Sequence, residues 1–144
     1  MSSHRVAAGE RHLVVWDGEC DLCRRCVDWM RARDGDALFE AVSYQELLAS
    51  ATTSATTPPT TSPATPPMTP DLAAACAEAV HVFAADGTRL RGGRAVLFVL
   101  EGLGWRRTSR LLGLPPLVWL VELGYRGVAR NRRLVSRLLP AERR

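Results

Sequence analysis

The spacing of apolar positions changes several times along this chain, and each change marks an element. His12 to Trp16 is a short, valine-containing, largely apolar run stopped by Asp17-Gly18, which predicts a buried β-strand. From Cys20 to Arg33 the period lengthens. Leu22, Cys26, Trp29, Met30 and Arg33 recur every three to four residues until Asp34-Gly35, the pattern of a helix with one inward stripe. Leu38 to Tyr44 returns to alternation and reads as a second strand that packs Phe39, Val42 and Tyr44.

Gln45 to Ala49 reads as a helical turn. Asp71 to Glu78 is alanine-rich and helix-prone, Ala79 to Ala84 reads as a strand, and Ala85-Asp86-Gly87 turns the chain into a hairpin partner at Thr88 to Arg91. Arg94 to Leu103 and Trp105 to Leu112 read as helices. After Pro115-Pro116 one last helix is expected from Leu117 to Leu139. Val118, Val121, Tyr125, Val128, Val135 and Leu139 form its apolar stripe, interrupted by Arg132.

Two stretches lack any such period. Residues 1–11 read as a disordered leader, and 50–70 is built almost wholly from Thr, Pro, Ala and Ser, with no side chains to make a core. We therefore expect one domain over 12–140, interrupted by a flexible loop at 50–70, with 141–144 as a tail. The order is β-α-β, then β-β-α with further helices behind it.

Composition adds little until charge is located. The chain has 144 residues, 47% of them hydrophobic, enough for a core without disulfide staples. All nineteen cations are arginine and the formal net charge is +4. Residues 100–144 hold ten arginines against three glutamates, a balance of +7 that leaves the first 99 residues at −3. Arg126, Arg130, Arg133 and Arg137 recur at four, three and four residues, a basic stripe that is either a solvated face or a contact for an acidic protein or a charged surface. No aromatic side chains interleave it, so nucleic acid is not an expected partner. No secretory leader and no membrane span is read in the sequence, which points to a cytoplasmic protein. Paired cysteines in that compartment are reactive or metal-bound more often than structural.

The candidate chemistry lies between the first strand and the first helix. Trp16-Asp17-Gly18-Glu19-Cys20-Asp21-Leu22-Cys23-Arg24-Arg25-Cys26 puts Cys20 at a helix N-terminus. There the orphan amides and the helix dipole favour a thiolate. Cys23, three residues on, lies within disulfide reach, since such pairs are roughly 5 to 6 Å apart at Cβ. Cys20 is accordingly the expected attacking sulfur and Cys23 the resolving one. Asp17, Glu19 and Asp21 oppose a thiolate, whereas Arg24 and Arg25 favour it, so a modestly activated thiol is expected. Asp17 is either a proton relay for Cys23 or a turn residue bonding its own backbone. A Cys-x-x-Cys at the first strand-to-helix junction of this element order suggests a thioredoxin-like α/β fold.

The same residues resemble the DCC family of thiol-disulfide oxidoreductases. The resemblance rests on Trp16-Asp17-Gly18-x-Cys20-x-x-Cys23, where the family usually has Tyr for Trp16. Asp86-Gly87, Arg94-Ala95, Leu114-Pro115 and Tyr125-x-x-Val128-Ala129-x-Asn131-Arg132 support it over roughly residues 12–140. It implies a thioredoxin-like domain whose redox pair is Cys20 and Cys23. One departure is plain. Thioredoxin-fold enzymes generally carry a proline just before the third core strand, but here Glu78-Ala79-Val80-His81 stands there and the nearest proline is Pro70.

The expected activity is thus dithiol exchange with a disulfide-containing protein or small molecule. It needs no bound cofactor, and its electrons come from an external thiol or a reductase. Two other readings stay open. One is a binding module on the same scaffold using the basic helix. The other is a metal site of Cys20, Cys23 and Cys26 with His81 or Cys76 as fourth ligand, although no second cysteine knuckle exists. Cys26 stands three residues from Cys23, so Cys23–Cys26 is also a feasible pair by spacing; Cys26 and Cys76 are otherwise expected in the core, His81 as a structural histidine, and His4 and His12 as tail residues. Tyr125, Asn131 and Arg132 are candidates to pack toward the active-site end.

Overall fold

A computed structural model describes residues 10–53, 62 and 64–138. Most of the expected leader, residues 54–61 and 63 of the Thr/Pro-rich run, and the tail from 139 onward lie outside the described residues, as do His4 and Leu139.

The elements in chain order are β1 (His12–Trp16), α1 (Asp21–Arg33), β2 (Phe39–Ser43), α2 (Tyr44–Thr52), α3 (Pro70–Glu78), β3 (His81–Phe83) and β4 (Arg89–Arg91). Helices α4 (Gly93–Gly102), α5 (Arg106–Leu112), α6 (Leu117–Arg130) and α7 (Arg132–Leu138) follow. The strands form one sheet in the order β2-β1-β3-β4. β1 runs parallel to β2 and antiparallel to β3, and β4 returns antiparallel beside β3. A β-α-β unit joined to a β-β-α unit through a central β1 is a thioredoxin-like α/β arrangement.

β1 is apolar at consecutive positions because both of its faces are covered. Leu13 and Val15 pack with Val42, Leu47, Leu72, Cys76 and Phe83 on the side of α2 and α3. Val14 packs with Met30, Phe39, Val82 and Ala95 on the side of α1 and α4. Side-chain bonds fix the starts of α2 and α3. Ser43 and Glu46 form a reciprocal capping box on α2, and Thr69 caps α3 ahead of Pro70, each typically worth ~1 kcal/mol. α4 lies so close to the sheet that a Cβ at Gly102 would sit 2.5 Å from Phe39 Cζ.

Four expectations need correction. His12 is no tail residue: it is buried in β1, its Nδ1 accepts from Ala85 N–H, and its ring meets Phe39 and Phe98. Of the predicted stripe of α1 Met30 is buried, Val27 is buried beside it although it was not predicted, and Cys26 is exposed rather than in the core. The last helix is two helices, because the chain leaves helical geometry at Asn131, φ −109° and ψ 27°. That break divides the basic stripe, leaving Arg126 and Arg130 on α6 and Arg133 and Arg137 on α7. Finally, the described ends of the 50–70 run are engaged. α2 continues to Thr52, Ser62 Oγ donates to the Arg11 carbonyl, and Ala64 and Met68 pack on the core.

Candidate functional site

Parallel pairing of β1 with β2 sets Trp16 opposite Ser43, so both strands end at the same edge of the sheet. The chain after Trp16 must turn there. Asp17 Oδ1 accepts from Glu19 N–H, and the turn is clamped from the first turn of α2 by Gln45, whose Oε1 accepts from Gly18 N–H and whose Nε2 donates to Asp17 Oδ1 at 2.8 Å. Gly18 passes so near β2 that a Cβ would stand 2.9 Å from that of Ser43, which accounts for the glycine.

The turn delivers Cys20 to the N-cap of α1. Its backbone is extended, at φ −91° and ψ 112°, and its Sγ accepts from Cys23 N–H at 3.2 Å. The sulfur thus takes the place of the usual cap oxygen at a helix start, where the amides point outward. Both Cys20 and Cys23 are half-buried free thiols. The Cys23 thiol is pushed well up from the ordinary thiol range, first by burial, then by its hydrogen bond to Cys20 and by the Cys20 and Asp17 charges; Arg132 pulls the other way.

Arg132 arrives from the far end of the chain. It donates to Asp17 Oδ2 at 3.4 Å and to the carbonyls of Ala77 and Glu78, the last residues of α3. The cation therefore serves the carboxylate of the cysteine turn and the negative end of a helix together. Tyr125 Oη accepts from Val80 N–H at 2.8 Å, just before β3. Burial raises the Tyr125 phenol, and the charge of Cys23 adds to that. The backbone segment where thioredoxin-fold enzymes place a proline is held here by Arg132 and Tyr125. Glu122 secures the same helix by accepting from Arg94 N–H at the start of α4.

Beside the cysteines opens a cleft of about 610 Å³ between α1, α4 and α6. Its walls are mainly apolar, with Leu22, Trp29, Met30, Val99 and Val128 among them, and Cys23 and Cys26 reach it. Leu22, Cys26, Trp29 and Met30 of the stripe expected in the core line this opening, and Trp29 and Met30 also belong to the packing around Val14. Partial desolvation along this wall, with the Cys20 charge second, raises the thiol of Cys26 even though its side chain is accessible.

The structure brings Asp17, Cys20 and Cys23 together, with Arg132 and Tyr125 beside them. It does not bring His81 or Cys76 near. His81 is fully buried, with Nδ1 at 2.9 Å from the Ala79 carbonyl and its ring stacked on Phe83, on the α2–α3 face that also holds Cys76. Both candidate fourth metal ligands thus lie across the sheet from α1. Among the described residues no group of three or more His, Cys, Asp or Glu side chains converges to hold a metal ion. Gln45 escaped the sequence reading, since nothing in its type or spacing announces a clamp; only the β1–β2 register reveals it.

No curated protein and no solved structure matches the chain. A family model described as DCC1-like thiol-disulfide oxidoreductase matches residues 14–138, from the middle of β1 to the end of α7, and so spans both the cysteine turn and the arginine that reaches back to it. The chain belongs to the DCC1-like thiol-disulfide oxidoreductase family.

Proposed function

We propose that this protein exchanges a Cys20/Cys23 dithiol with the disulfide of a protein or a small molecule. The observation that carries the reading is Cys20 Sγ capping α1 by accepting the backbone N–H of Cys23, which places the second cysteine one turn on. The Cys20 thiolate attacks one sulfur of the substrate disulfide, forming a mixed disulfide and expelling the first substrate thiol. Cys23 then loses its proton and attacks Cys20 Sγ. That step releases the second substrate thiol and leaves a Cys20–Cys23 disulfide.

The raised proton affinity of Cys23 orders these steps, because Cys23 stays a thiol until Cys20 has given up its charge to the mixed disulfide. Asp17 receives the Cys23 proton, and Arg132 and Gln45 hold its carboxylate in place. An external thiol or a reductase returns two electrons and two protons, which fits a cytoplasmic setting. No helix of the described residues is long and apolar enough to cross a membrane.

Turnover of glutathione disulfide and of a disulfide-bonded peptide tests the assignment. Cys20→Ser abolishes it, Cys23→Ser accumulates the mixed disulfide, and Asp17→Asn slows release from that intermediate. Full turnover by Cys20→Ser would refute the role of Cys20.

A further inference from the structure

We propose that the outward face of α6, with the α5–α6 connection before it, docks on an anionic lipid bilayer. The inner face of α6 is already used: Val118 is buried, Glu122 bonds Arg94 N–H and Tyr125 bonds Val80 N–H. The opposite face is apolar as well. Trp119, Leu120 and Leu123 are 67%, 62% and 66% exposed, and they neighbour one another at three- and four-residue spacing. Leu111 and Leu114, just upstream, are also more than half exposed. A cluster of large apolar side chains held in water on a helix anchored from behind marks a contact surface.

The rim identifies the partner. Arg126 and Arg130 follow on the same outward side of α6, and Arg106, Arg107 and Arg110 start and line α5, all exposed. The acids nearby are already engaged: Glu101 is 3.7 Å from Arg110, and Glu122 is turned toward α4. A second copy of the chain would bring two arginine rims together, which Coulomb repulsion opposes. A negatively charged bilayer accepts both parts, with Trp and Leu entering the acyl boundary and the arginines meeting headgroup phosphates. A helix of 14 residues, about 21 Å long, lies in that interface and does not cross it.

Flotation with vesicles of phosphatidylcholine, with and without phosphatidylglycerol, decides the matter. The full chain is expected to float with phosphatidylglycerol vesicles, to stay behind with phosphatidylcholine alone, and to be released by salt. Arg126→Gln with Arg130→Gln weakens binding roughly twenty-five-fold, taking about fivefold per arginine at an anionic surface. Leu120→Ser with Leu123→Ser weakens it at least ~tenfold while leaving the thermal melt unchanged, since both side chains are in water. Cys20→Ser floats like the wild type, which separates this inference from the thiol chemistry. Failure to float with phosphatidylglycerol would overturn the proposal. So would equal flotation by the double-serine variant, or a concentration-dependent dimer that this variant abolishes.

Discussion

Replacing Arg132 by methionine keeps most of the side chain's bulk and removes its charge and donors, so it isolates what the guanidinium does. The ion pair with Asp17 is at most one-fifth exposed on either side, more sheltered than a surface pair, and at 3.4 Å it is not tight. After that discount it contributes ~1 kcal/mol. The carbonyls of Ala77 and Glu78 lose a charged donor at the end of α3, a further ~1–2 kcal/mol. The expected loss is therefore ~2–3 kcal/mol in urea denaturation. Arg132→Lys should recover about half, because an ammonium can still meet a carbonyl but cannot fork between two groups.

The same substitution has a kinetic signature that lost stability alone does not produce. Arg132 is the group that lowers the Cys23 proton affinity. Without it Cys23 holds its proton still more firmly, so the mixed disulfide decays more slowly at neutral pH and its decay profile moves to higher pH. Quenched-flow mass measurements in native buffer follow that decay directly. A methionine variant within ~0.5 kcal/mol of wild type, resolving the mixed disulfide at the wild-type rate, would refute both arguments.

Two further perturbations probe the scaffold. Burial raises the Cys76 thiol from 9.0 to about 11 against the opposing charges of Arg89 and Arg91. The folded state then holds a proton that the unfolded chain gives up, so stability is complete below pH 9.0 and falls as pH rises through about 11. The loss is ~2–3 kcal/mol. Cys23 adds a slope of the same sign, so denaturation of wild type and Cys76→Ala must be compared across that window; equal slopes would contradict the assignment. Gly102→Ala drives a methyl into the buried Phe39 ring and should cost ~1–3 kcal/mol despite better helix propensity, and a variant as stable as wild type would show that the ring yields freely.

The parts of the fold that depend on local chemistry were legible in the sequence. The Asp-Gly stops, the valine run of β1 and the Cys-x-x-Cys after it set out the β-α-β unit and put Cys20 at the head of a helix, where the structure has it. Side-chain bonds across long separations were not legible. Arg132 reads both as an interruption of an apolar stripe and as a candidate to pack toward the active-site end, but a helical wheel cannot show that Asp17 and two helix-end carbonyls wait on the other side. The face of α1 was only partly legible, for a related reason: Met30 is buried as expected, but Cys26 is exposed. Leu22, Cys26 and Trp29 have the periodicity of a core stripe, and periodicity does not distinguish a packed core from an open apolar cleft. His12 shows the limit at single residues: it was placed in the tail, whereas the backbone N–H of Ala85 needs its ring nitrogen.

The Asp17–Arg132 contact spans 115 positions of sequence. During synthesis the cysteines leave the ribosome well before the guanidinium that completes their surroundings. Until then the nascent thiols lack their regulating cation, and a chain cut short before α7 carries the whole Cys-x-x-Cys motif without it. Assembly of the cysteine turn is thereby tied to synthesis through α7.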